Sequence, residues 1–153
     1  MKKPEEGQKA PFFEGNDQNG KRVSLDDFKG RKLVLYFYPK DNTPGCTDEA
    51  CNLRDNYNDL LAKGFAVVGV SPDSDESHKK FAGKHGLPFP LISDIERKIM
   101  ADYGTWGEKK MYGKTFMGVL RTTFIINEEG IIDKIIEKVD TRQHAAQIYK
   151  LYE

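Results

Sequence analysis

Two uninterrupted apolar runs, Leu33-Val-Leu-Tyr-Phe-Tyr38 and Phe65-Ala-Val-Val-Gly-Val70, constrain this chain more than any other feature. Neither alternates with polar residues, so each predicts a strand covered on both faces, as in the interior of a sheet. Residues 47–63, lying between them, read as a helix that Gly64 stops. Strand, helix and strand at this spacing predict a right-handed parallel crossover, with the two runs as neighbours in a central sheet. A chain of 153 residues is long enough for one such domain and short for two, so a single domain over residues 1–153 is expected.

The remaining segments arrange themselves around that unit. Residues 10–14 and 21–23 flank a turn-rich stretch and predict an N-terminal β-hairpin. Ser24 offers an N-cap for a short helix that Gly30 stops. Residues 75–85 predict a helix, 90–93 a short strand, 95–103 another helix, and 104–118 a loop rich in Gly and Lys. Residues 122–126 and 131–139, joined by Asn127-Glu-Glu-Gly130, predict a second hairpin, and 141–152 a closing helix. There is no internal repeat. The order predicts an α/β, thioredoxin-like fold: a central mixed β-sheet flanked by helices, with an N-terminal β-hairpin extension.

Charge and cysteine content narrow the chemistry. Twenty-four basic residues balance twenty-four acidic ones, leaving no long-range field to gather nucleic acid or an anionic membrane. The N-terminus is polar and no apolar run approaches a bilayer span, so a cytoplasmic protein is expected. The only two cysteines, Cys46 and Cys51, lie five positions apart, which points to redox or metal chemistry rather than a disulfide framework.

Cys46 falls where the first strand gives way to the helix. Pro44 suits the first helical position, which makes Thr43 the N-cap and Cys46 the third helical residue. An N-cap hydroxyl reaches the N–H of that third residue, so Thr43 is expected beside Cys46. The sulfur then meets the positive end of the helix dipole, which favours thiolate. A free thiol is only a few per cent ionised at neutral pH, so full ionisation gains roughly 30-fold in nucleophile. The remaining acceleration requires donors aimed at the leaving group, and hence a further cation.

Cys46, Ala50, Leu53, Tyr57 and Leu60 share one helical stripe, which shelters Cys46 against the core. Cys51 falls about 140° around the helix and about 7.5 Å along it, so the two Cα atoms stand roughly 8 to 9 Å apart. A disulfide needs less than about 7 Å. Pairing therefore requires the helix to unwind, and Asn52, Asp55, Asn56, Asn58 and Asp59 are weak helix formers. The alternative readings are an ordinary buried core cysteine at 46 and an inert thiol at 51. A permanent bridge would close so short a loop that it contributes only on the order of 2 kcal/mol.

The stretch Pro39-x-x-x-Thr43-x-x-Cys46 with Glu49 after it resembles the active-site signature of the peroxiredoxins, thiol peroxidases on a thioredoxin-like fold. Tyr-Phe-Tyr-Pro-Lys-Asp-Asn-Thr-Pro-Gly-Cys-Thr-Asp-Glu-Ala-Cys is similar to the bacterioferritin comigratory protein, or peroxiredoxin Q, subgroup. The resemblance extends to Gly118-Val-Leu-Arg121-Thr-Thr-Phe124, where that family places an active-site arginine. It implies that Cys46 is peroxidatic and Cys51 resolving, that Thr43 and Arg121 activate the peroxide, and that Pro39, Pro44, Gly45 and Glu49 shape and support the pocket. Arg121 would be the missing cation; taken alone, the residue fits a plain surface arginine as well. The implied substrates are hydrogen peroxide and organic hydroperoxides, and the implied reductant is thioredoxin or a similar dithiol. No cofactor, metal, nucleic acid or membrane is implied, and a monomer or weak dimer is expected. The C-terminal resolving cysteine and the Gly-Gly-Leu-Gly and Tyr-Phe elements of the larger obligate dimers are missing, so resolution is expected within one chain.

Other signals are weaker. Gly113-Lys-Thr115 imitates the end of a phosphate-binding loop, but position 108 is Glu and no apolar strand precedes it. His78 and His85 share a helix face and His144 is distant, which reads as three solvated histidines rather than a metal site. Lys109, Lys110 and Lys114 near Trp106 read as an exposed basic loop and a candidate contact for a reductase. A thioredoxin-type disulfide oxidoreductase is the main enzymatic rival, but it needs two residues between its cysteines and here there are four. A binding domain with incidental thiols is the other rival.

Overall fold

A computed structural model describes residues 3–153. The first apolar run forms β3 (Lys32–Phe37) and the second β4 (Phe65–Ser71), paired in parallel with Val34 opposite Val67. On the other side β3 pairs antiparallel with β8 (Thr122–Ile126), which continues into β9 (Ile132–Ile136), while β5 (Leu91–Ser93) extends β4 in parallel. The sheet is mixed and five-stranded, in the order β5-β4-β3-β8-β9. Because side chains alternate along a strand, the first run divides. Leu33, Leu35 and Phe37 enter one core with Phe13, Val23, Met100 and Tyr103; Val34, Tyr36 and Tyr38 enter the other with Cys46, Ala50, Leu53, Phe81 and Ile148. The second core carries Cys46.

Helices cover that second face: α1 (Pro44–Asp55), α2 (Tyr57–Ala62), α3 (Asp75–His85) and α5 (His144–Lys150). The opposite face holds α4 (Lys98–Tyr103) and the N-terminal hairpin of β1 (Glu14–Asn16) and β2 (Arg22–Ser24). The expected α/β arrangement with an N-terminal hairpin is therefore present. Among the described residues no helix is long and apolar enough to cross a membrane.

Several boundaries depart from expectation for local reasons. The first strand begins at Glu14, not at residue 10, because the segment before it is drawn toward the β8–β9 turn: the Ala10 N–H donates to the Gly130 carbonyl and Lys9 bridges Ile131. The expected helix over 47–63 starts at Pro44 and breaks at Asn56, whose side-chain amide donates to the Asn52 carbonyl at 2.8 Å. The helix expected from 95 starts at Lys98, since Asp94 holds the N–H groups of Ile99 and Met100. The closing helix starts at His144, because Asp140 ties the Arg142 and Gln143 N–H groups into a turn.

The largest correction concerns residues 104–118. They are no loop but an antiparallel hairpin of β6 (Trp106–Met111) and β7 (Lys114–Val119). Tyr112 and Gly113 both have positive φ, 53° and 76°, the two-residue turn that matches strand twist. The glycines and lysines that suggested a loop are compatible with this ladder because its pairing uses backbone groups and most of its side chains face water. Lys110 and Lys114 are exposed, and Trp106 lies under Arg97, 4.4 Å from ring centroid to guanidinium.

Candidate active site

The end of β3 delivers the chain to α1 through Pro39 and the Asn42 turn, at φ 65°. Thr43 is the N-cap, with extended backbone, and Pro44 is the first helical residue, as expected. The first helical hydrogen bond runs from the Thr47 N–H to the Thr43 carbonyl at 2.9 Å. One expectation fails here: the Thr43 hydroxyl makes no cap bond to Cys46 but donates to the Lys40 carbonyl at 2.8 Å. Its lone pairs therefore remain available to accept. Pro39 and Gly45 are half-buried and Pro44 is exposed.

Cys46 is a free thiol, 1% exposed, on the core-facing stripe of α1. Arg121, immediately before β8, reaches it from the sheet: Nη2 lies 3.2 Å from Cys46 Sγ and Nη1 donates to Glu49 Oε1 at 2.6 Å. Cys46 and Glu49 stand three residues apart on one helix, so a single guanidinium spans both. Gly45 lies alongside, where a Cβ would stand 3.4 Å from Arg121 Nη2. Burial works to lower the Arg121 pKa, but the Glu49 and Cys46 charges more than offset this, leaving a firmly held cation. Thus four of the expected residues, Cys46, Gly45, Glu49 and Arg121, converge, with Thr43 and the two prolines forming the approach.

Cys51 is apart from this group. It lies in the same unbroken helix, half-buried, with Sγ 3.7 Å from His85 Nδ1. Both thiols are free in this helix.

The histidines overturn the expectation of solvated side chains. His78 and His144 are fully buried. Glu49 Oε2 stands 3.5 Å from His144 Nε2, and His144 also meets the Thr123 hydroxyl at 2.9 Å. Burial pushes Glu49 up to about 7, against the opposing pull of Arg121, and pushes His144 down to about 4. The sequence held a signal for both histidines: His78 with Phe81 and Ala82, and His144 with Ile148, recur at the three- and four-residue spacing of a core-facing stripe.

A second polar cluster binds the approach loop to α3. Ligating atoms of Asp41, Asp73 and His78 lie within 4.8 Å of one another, close enough for a cation. They are engaged with their neighbours instead. Asp41 accepts from the Tyr38 hydroxyl, the Ser77 hydroxyl and His78, and Asp73 accepts from the Asp41 N–H and the Ser71 hydroxyl.

Residues 6–135 match the model of the AhpC/TSA family. The chain is 48% identical over 141 residues to peroxiredoxin Bcp of Bacillus subtilis, covering 92% of this chain and 90% of the relative. It is 43% identical over 138 residues to peroxiredoxin Bcp of Escherichia coli, covering 90% and 88%. Among solved structures, a cysteine-to-serine variant of Xylella fastidiosa PrxQ matches with a TM-score of 0.87 at 31% identity, over 99% of this chain and 98% of that one. A structure of Xanthomonas campestris bacterioferritin comigratory protein, concerned with alkyl peroxide reduction, matches with a TM-score of 0.85 at 34% identity, over 91% and 88%.

Proposed function

The chain belongs to the AhpC/TSA family and is a peroxiredoxin, a thiol peroxidase, and from that premise we propose that Cys46 is its peroxidatic cysteine and Cys51 its resolving one. The observation that carries this reading is the contact of Arg121 with Cys46 Sγ, a cation within 3.2 Å of a buried thiol at a helix start.

In the proposed cycle the Cys46 thiolate attacks one peroxide oxygen. A sulfur lone pair forms the S–O bond, the O–O bond breaks, and its electron pair leaves with the second oxygen, which takes up a proton as water or an alcohol. Arg121 stabilises the charge on that leaving oxygen, and Thr43, whose hydroxyl donates to the Lys40 carbonyl, accepts the hydrogen bond of the incoming peroxide. The resulting Cys46 sulfenic acid condenses with Cys51, releasing water. Condensation needs α1 to unwind, since an intact helix holds the Cα atoms roughly 8 to 9 Å apart. A thioredoxin-type dithiol then reduces the bridge by exchange. Hydrogen peroxide and organic hydroperoxides are the proposed substrates; the alkyl peroxide reduction named for the Xanthomonas relative supports the second class.

Intact mass after one equivalent of hydrogen peroxide tests the assignment. The wild type should lose two hydrogens, and Cys51→Ser should trap a sulfenic acid or its further oxidation products on Cys46. Peroxidase activity surviving in Cys46→Ser would end the proposal.

A further inference from the structure

His144 Nδ1 lies 3.0 Å from Gln147 Oε1. The orientation of that amide is fixed, because its nitrogen donates to the Lys138 carbonyl at 2.8 Å and its oxygen accepts the Asp140 N–H at 3.0 Å. An oxygen therefore faces His144, so Nδ1 carries the ring proton and Nε2 of the neutral ring presents a lone pair. The Thr123 hydroxyl meets Nε2 at 2.9 Å, and Glu49 Oε2 stands 3.5 Å from the same nitrogen. Oε2 is buried and has no hydrogen-bond partner among the described residues. An ionised Glu49 would set two lone pairs against each other in a fully buried site, and a proton between them removes that conflict.

We infer that Glu49 and His144 hold a single proton between Oε2 and Nε2, behind Arg121, and that this proton determines how much of the Arg121 charge is free for the Cys46 sulfur. His144 is thereby a positioning residue that acts through Glu49 and Arg121. The inference rests on Cys46 being the reacting thiol.

The charges around the pair explain the effect. Glu49 faces Cys46 on its own helix, Arg121 ahead of β8, His144 on α5 and the buried Tyr36 hydroxyl on β3; Asp140 acts on His144 from the preceding turn. One guanidinium between a thiolate and an ionised carboxylate leaves a net negative charge in a site with little water to screen it. With the proton retained, Arg121 and the Cys46 thiolate form a neutral pair, and the second guanidinium nitrogen is not claimed by a competing anion. Burial holding Glu49 near 7 and His144 near 4 agrees with one proton resident on the Glu49 side. Loss of that proton should slow the attack on peroxide, giving the rate a descending alkaline limb.

The test is the rate at which one equivalent of hydrogen peroxide oxidises Cys46, by rapid quench, intact mass and peptide mapping, between pH 5 and 9. Glu49→Gln should remove the descending limb. His144→Gln offers Oε2 an N–H donor, stabilises the carboxylate and should move the limb to lower pH by about one unit. His144→Phe leaves Oε2 in apolar surroundings and should move it to higher pH. A limb that persists in Glu49→Gln, or that moves the same way or not at all in the two His144 variants, overturns the inference. Should His144→Phe fail to fold by circular dichroism, the other two profiles decide. Oxidation mapped to a residue other than Cys46 would instead overturn the assignment of the thiol, whatever the pH profiles.

Discussion

The protein buries two acid–histidine pairs on the same side of its sheet, and they are built to opposite specifications. In the first, Asp41 and His78 meet at 2.7 Å; Asp41 takes two further side-chain donors, and His78 Nε2 faces the Ile92 carbonyl at 3.1 Å. In the second, Glu49 and His144 stand 3.5 Å apart and one carboxylate oxygen has no hydrogen bond among the described residues. The satisfied pair fixes position: it ties the loop leading to Cys46 to α3 and β5. The unsatisfied pair touches Arg121 and hence the sulfur. Burial alone thus does not mark function; an unmet hydrogen-bonding capacity beside a reactive group does.

The largest expected effect would come from breaking the satisfied pair. Asp41→Ala leaves the Tyr38 and Ser77 hydroxyls and the His78 ring without their acceptor, at a cost of about 3 to 5 kcal/mol in urea denaturation. Equal cost from the near-isosteric Glu49→Gln at pH 5 would erase the distinction between the pairs.

Next in size is an opposition of pH slopes. Glu49 is raised from 4.5 to about 7, so its contribution to stability is complete below pH 4.5 and is lost as pH rises through 7. His144 is lowered from 6.5 to about 4, so its contribution is complete above pH 6.5 and is lost as pH falls through 4. Between pH 4.5 and 6.5 the folded pair carries its proton on Glu49 and the unfolded chain carries one on the histidine. The proton counts match, and the pair contributes almost no slope. Glu49→Gln should expose the histidine alone, with stability rising across this window; His144→Phe should expose the carboxyl alone, with stability falling. Each change should reach about 3 kcal/mol over its full range. Slopes of the same sign in the two variants would show that one of the two groups is not shifted in this direction.

Arg121→Lys should follow. A lysine offers a point charge where the guanidinium spans Glu49 and Cys46 with two nitrogens, so the rate of Cys46 oxidation should fall about 100-fold. Thermal stability should change far less than in Asp41→Ala. A rate within a fewfold of wild type would mean that charge alone suffices at this position.

How much of this was legible in the sequence depends on how local the cause is. The apolar runs announced β3 and β4, and the Thr-Pro-Gly cap announced the start of α1 and the placement of Cys46. Both are set by residues adjacent in the chain. The β6–β7 hairpin departs from the loop expected there because its signal lies in Tyr112 and Gly113 turning together, not in hydrophobic content. Glu49 could be named from its place after Cys46, but its orphaned oxygen depends on α5, nearly a hundred residues later. The four-residue spacing of His144 and Ile148 announces a buried histidine, but not the acid opposite it, which only the fold supplies. Pair chemistry of this kind belongs to packing, whereas the place where a helix starts belongs to sequence.

The smallest effect is also the most selective. Thr123→Val keeps the volume on β8 and removes only the hydroxyl that meets His144 Nε2. In the satisfied network an equivalent deletion would strand a donor or acceptor that has no substitute. Here the Glu49 proton, with Oε2 3.5 Å from the same nitrogen, no longer shares that lone pair with a hydroxyl. The stability cost should therefore stay at or below about 1 kcal/mol, near the low end for a buried hydrogen bond. The variant should also hold its Glu49 proton more tightly, carrying the alkaline limb of Cys46 oxidation to higher pH. A cost of several kcal/mol with an unmoved limb would assign His144 to Thr123 rather than to Glu49, and the two acid–histidine pairs would then differ only in degree.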